Sequence, residues 1–110
     1  VVLADKLLKK DFMEAKQILR TESGIILKSL NGDIQYELND KFILRNQYGL
    51  RTDTFYLALK DLNIQFENNP EVNSRKLVNS MQIKTEIEKQ EIDFNYRKVY
   101  SAEDLMESGK

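Results

Sequence analysis

Residues Gly32-Asp33-Ile34-Gln35-Tyr36-Glu37-Leu38-Asn39-Asp40-Lys41-Phe42-Ile43-Leu44-Arg45-Asn46 hold the pattern from which the fold is read. Ile34, Tyr36 and Leu38 alternate with Gln35 and Glu37, a period of two that buries one face of a strand and wets the other. Asn39-Asp40 supplies turn chemistry, and Lys41 to Arg45 returns as the next strand. Just upstream, Ile25-Ile26-Leu27-Lys28 runs into Asn31-Gly32, a pair suited to the positive φ at both central positions of a type I′ turn. The spacing predicts a hairpin loop at Asn31-Gly32.

Toward the C-terminus, Asn46-Gln47-Tyr48-Gly49 closes the second strand. Two apolar alternations follow, Phe55/Leu57/Leu59 and Leu62/Ile64/Phe66, one residue out of phase, so a bulge or kink is expected near Lys60-Asp61. Asn68 to Ser74 carries the single proline of the chain, Pro70, among turn formers and reads as a surface loop. Val78, Met81, Ile83, Thr85 and Ile87 then make a long strand. Its partner is Ile92, Phe94, Tyr96, Lys98 and Tyr100, across a turn at Glu88 to Glu91. Ser101-Ala102-Glu103-Asp104 fits a helix start before Leu105-Met106, which predicts a short helical turn over 102–107.

Toward the N-terminus the period changes. Val1, Val2, Leu3, Leu7, Leu8, Phe12 and Ala15 share a stripe, with Lys6, Lys9, Lys10, Asp11 and Glu14 largely on the other side, so a helix is expected over 2–16. No capping residue precedes it. Either the helix is cut from a longer one, or a starter methionine was removed and the first residue frays. Val1, Val2 and Leu3 lie too far along to reach a sheet already covered by Leu7, Leu8 and Phe12. They are expected to be exposed and to form an interaction surface.

These parts sum to one domain over 1–110 of the α+β class. An N-terminal helix packs on a single antiparallel meander whose strands fall within 17–100. The expected core comprises Leu7, Phe12, Ile34, Tyr36, Leu38, Phe55, Ile64, Phe66, Ile83 and Phe94. At 110 residues, with 41% hydrophobic and 32% charged residues, the chain suits one folded domain. A net charge of −1 and a pI near 5.5 give no bulk field for phosphates, so no nucleic-acid partner is expected.

The chain contains neither Cys nor His. That removes the thiolate nucleophile, the usual general base near neutral pH and the commonest transition-metal ligand. Asp53, Asp61, Glu37 and Glu67 stand singly, without the spacing of a calcium loop. No catalytic residue, metal site or cofactor is expected. Tyr36, Tyr48, Tyr56, Tyr96 and Tyr100 lack the interleaved Arg or Gly of an RNA-stacking motif and read as packing at the sheet edge. Lys9-Lys10 reads as a solvated helix face, with contact to an anionic lipid surface as the minor alternative.

Taken in order, the striped helix with Leu7-Leu8-Lys9-Lys10-Asp11-Phe12 and the hairpin holding Ile34, Tyr36, Leu38, Leu44 and Arg45 resemble the soluble domain of a minor pseudopilin. Such subunits belong to type II secretion and type IV pilus-like systems. The resemblance implies a pilin-like fold and a membrane helix of about 20 apolar residues upstream of Val1. It further implies a bacterial inner-membrane anchor, with this domain in the periplasm. The function implied is that of a filament subunit in protein transport across the envelope, with other pseudopilin subunits and the secretion machinery as partners. The membrane would be met only through that upstream helix. The alternative is a soluble ligand- or protein-binding module without catalysis.

Overall fold

A computed structural model describes residues 2–67, 77–101 and 103 of the chain. A helix, α1 (Val2–Glu14), is followed by β1 (Gln17–Arg20), β2 (Gly24–Ser29), β3 (Gly32–Leu38), β4 (Phe42–Gln47), β5 (Arg51–Tyr56), β6 (Leu59–Phe66), β7 (Val78–Ile87) and β8 (Gln90–Arg97). Strands β1 to β5 form one antiparallel sheet in sequence order, sheet A, and β6 to β8 form another, sheet B. The expected α+β, pilin-like arrangement of a helix on one sheet is therefore overturned. Among the described residues the protein is mostly β, a β-sandwich-like fold of two antiparallel sheets, with α1 a short helix of 13 residues.

The reason lies between β5 and β6, where only Leu57 and Ala58 intervene. The Leu57 N–H donates to the Lys41 carbonyl at 3.1 Å and the Leu59 N–H to the Asp40 carbonyl at 2.7 Å, so the chain leaves sheet A beside the β3–β4 turn. The expected phase shift is present, as a slip of the β6–β7 register between Leu59 and Asp61. A period of two identifies a strand but does not say which sheet it joins. The chain changes sheets at Leu57-Ala58, just before the expected kink, which lies inside β6.

One apolar cluster joins the layers, drawing Leu8 and Phe12 from α1, Ile25, Leu27, Ile34, Tyr36 and Ile43 from sheet A, and Met81, Ile83 and Tyr96 from sheet B. Burying each large side chain contributes about 1.5–3 kcal/mol. The buried positions of α1 are Ala4, Leu8, Asp11 and Phe12, with Ala15 just beyond its end. This is a helical stripe rotated from the expected one, because Asp11 is buried and Leu7 only half-buried. Of the expected core, Phe12, Ile34, Tyr36 and Ile83 are buried, while Leu7, Leu38, Phe55, Ile64 and Phe94 are half-buried. Phe66 is 38% exposed, at a second register slip that ends the β6 alternation.

The helix ends sooner than expected because its next donor is taken by a strand. The Lys16 N–H donates to the Lys28 carbonyl at 2.8 Å, which hands the chain into β1. The β2–β3 loop also differs. Ser29 pairs with Gly32, so the loop residues are Leu30 and Asn31, and Gly32 takes the positive φ of 131°. Positive φ at both central positions of a two-residue loop occurs instead at Glu88 (51°) and Lys89 (67°), between β7 and β8, with neither Gly nor Asn to ease it. The predicted loop around Pro70 lies outside the described residues, as does the predicted 102–107 turn apart from Glu103.

Candidate functional site

Strand alternation puts Tyr36 of β3 and Arg45 of β4 side by side on the inner face of sheet A, directly beneath α1. The helical period turns Asp11 down onto them. The guanidinium grips the carboxylate in a two-pronged fork, Nε to Oδ2 at 2.8 Å and an Nη to Oδ1 at 3.1 Å, and the Tyr36 hydroxyl donates to Oδ2. A further Arg45 nitrogen donates to Gln47 Oε1 at 3.2 Å. All three central side chains are buried, so each charge is compensated by the other.

Burial, reinforced by the hydrogen bond to Asp11, pushes the Tyr36 hydroxyl well above the ordinary tyrosine range. The hydrogen bond to Asp11 likewise holds Arg45 above its usual value. A closed, fully paired cluster of this kind presents no reactive atom to a substrate. Its work is to fix where α1 sits.

The family-like hairpin is thus divided by its own pleat. Ile34, Tyr36 and Arg45 face the core, Leu38 packs against its margin, and Leu44 lies on the opposite face, paired with Glu37. Sequence reasoning had placed Asp11 on the polar side of the helix and missed its partner. The available signal was Arg45 itself, a charged residue standing in phase with the buried Ile43.

At the start of the chain, Leu3 is 60% exposed, while Val1 and the side chain of Val2 lie outside what is described. Among the described residues no group of three or more acidic, His or Cys side chains converges on a metal-sized site. No helix of the described chain is long and apolar enough to cross a membrane.

Another set of residues is gathered by topology. The β2–β3 and β4–β5 hairpins point the same way, with Leu30 at one tip (85% exposed) and Leu50 at the other (88%). The Tyr48 ring lies over Gly32, so the two tips are neighbours. The bond from Lys16 to Lys28 brings the end of α1 to the base of the first hairpin. Lys98 then reaches from beyond β8 to the Met13 carbonyl at 3.5 Å. Met13 and Val99, both exposed, flank a groove of about 420 Å³ floored by Phe12 and Tyr96. Leu30, Leu50, Met13 and Val99, four of the seven exposed large apolar side chains among the described residues, stand at this end of the sandwich.

No protein-family model, curated protein or solved structure matches the chain.

Proposed function

We propose that the protein is a non-catalytic interaction module whose working surface is the end bearing Leu30, Leu50, Met13 and Val99. The observation that carries the reading is the gathering of exposed apolar side chains on hairpin tips at one end, while the interior is closed and its charges are paired. Apolar residues scattered singly over a surface need no partner, but a group rimmed by charged residues marks a contact.

The test places a photoreactive benzophenone side chain at position 30 or 50, and at position 89 as a control, in cells that make the protein. Adducts from 30 and 50, with none from 89, are the expected result. No adduct from the tips, or as much from 89, removes the reading.

The exposed Leu3 favours a second reading, that of an envelope filament subunit of the pseudopilin type. It no longer has a pilin-like fold in its support. Its test is the natural reading frame upstream of Val1 together with fractionation of cells expressing it. A hydrophilic upstream segment, or a product found in the cytosol, disposes of it.

A further inference from the structure

Building on that interaction surface, we infer that its partner is an anionic lipid bilayer, entered by the two leucine tips. Shape is the first argument. Leu30 and Leu50 are not the walls of a groove but the outermost residues of adjacent hairpins, where two- and three-residue loops carry them beyond the sheet. A folded partner would need a matching pair of pits to bury them, whereas a bilayer takes up projecting apolar side chains without a preformed site.

Charge is the second argument. Behind the tips stand Lys16, Lys28, Arg51 and Lys98. Acidic groups are also present there: Glu14 adjoins Met13 at the end of α1, Asp33 faces Lys28 across the strands, and Asp53 pairs with Arg51. At the opposite end Glu22, Asp40, Asp61, Glu86, Glu88 and Glu91 stand at or beside the turns with Arg20, Lys41, Lys60, Lys84 and Lys89, so acids slightly outnumber bases. Lys60 pairs there with Glu86 and Lys84 with Glu91, each pair neutral in itself. Among the described residues the apolar end, with four bases to three acids, is thus the less acidic of the two, the other holding five bases to six acids. An anionic surface attracts such an end, orients it, and repels the other.

The experiment is sedimentation of the purified chain with vesicles of phosphatidylcholine alone or with 30% phosphatidylglycerol, at low and high salt. The wild type should pellet with the anionic vesicles and less at high salt. The variants L30S and L50S, whose altered residues are exposed and whose fold is checked by circular dichroism, should each bind roughly tenfold more weakly. K28Q and R51Q should each weaken binding by about fivefold.

Failure to pellet, equal pelleting with neutral vesicles, or binding indifferent to L30S and L50S overturns the inference. Failure here is distinguishable from failure of the interaction surface itself. A benzophenone adduct of protein size from position 30 would keep the surface and discard the lipid, and an adduct of lipid mass supports both.

Discussion

On sheet A, α1 is held by a fork of charge, Asp11 against Arg45 and Tyr36. On sheet B it is held by the tilted ring pair of Phe12 and Tyr96, 5.6 Å apart, and by one hydroxyl bond from Tyr96 to Asp5 at 2.9 Å. The two attachments differ in tolerance. A bidentate carboxylate–guanidinium contact is satisfied in a single geometry, and inside the protein any displacement leaves unpaired charge. Rings in contact lose little when they slide by an ångström. Sheet A therefore sets the position of the helix, and sheet B closes over a helix already placed.

The sharpest way to break this contrast is Asp11→Ala, which strands the Arg45 guanidinium in the core. Urea unfolding should show a loss of about 3–5 kcal/mol. The double variant Asp11→Leu with Arg45→Met should recover much of it. A loss below about 1 kcal/mol in the single variant would mean that the fork does not position the helix.

That fork also marks the limit of what the sequence disclosed. The alternations that define β3, β4 and β8 are written in adjacent residues, and so is the phase shift at Lys60. Asp11 and Arg45 are 34 residues apart, and neither has a local signature that names the other. The same holds for sheet membership, since the strands around Leu57-Ala58 look alike whether the chain continues in one sheet or crosses to the next. The exposed tips were hidden for a related reason: Leu30 and Leu50 are single leucines in loops, and only the common direction of their hairpins joins them.

Tyr36 and Tyr96 give a pH test spanning both attachments, since burial first, and then hydrogen bonding to Asp11 or Asp5, raises each hydroxyl well above the ordinary range. The unfolded chain gives up these protons near pH 10, while the folded state retains them. Stability is therefore fully present below about pH 10 and falls as pH rises beyond it. Tyr96→Phe removes one contributor and should make the fall shallower. A slope unchanged in that variant would assign the whole effect to sheet A.

Sheet B, the less constrained partner, should be the easier to improve. Replacing Glu88-Lys89 by Asn-Gly puts residues that tolerate positive φ where both central positions require it, and should raise stability by about 2 kcal/mol in thermal or urea unfolding. An unchanged midpoint would show that the turn is not strained. A smaller gain, about 1 kcal/mol, is expected from Thr85→Val, because the buried Thr85 hydroxyl has no hydrogen-bond partner among the described residues. A loss of stability there would reveal a bond made by that hydroxyl in solution. Sheet A has a comparable unpaired group in the Asn39 amide nitrogen, but it lies at a turn and not beneath the helix.

The contact between Asp5 and Tyr96 spans 91 residues, and that between Ile18 and Tyr100 spans 82, whereas each sheet pairs strands in sequence order. On a ribosome this order becomes a schedule. The β1–β5 meander can close as it emerges, because every strand finds its neighbour already made. The helix, first to appear, can reach Arg45 early but gains its second wall only when β8 has been synthesised. At ordinary elongation rates of about 5–20 residues per second, Phe12 waits roughly 4 to 17 seconds for Tyr96. During that interval the nascent chain shows its apolar helix face to whatever binds nascent chains, and Asp11, engaged early by Arg45, would keep that face turned toward its own sheet.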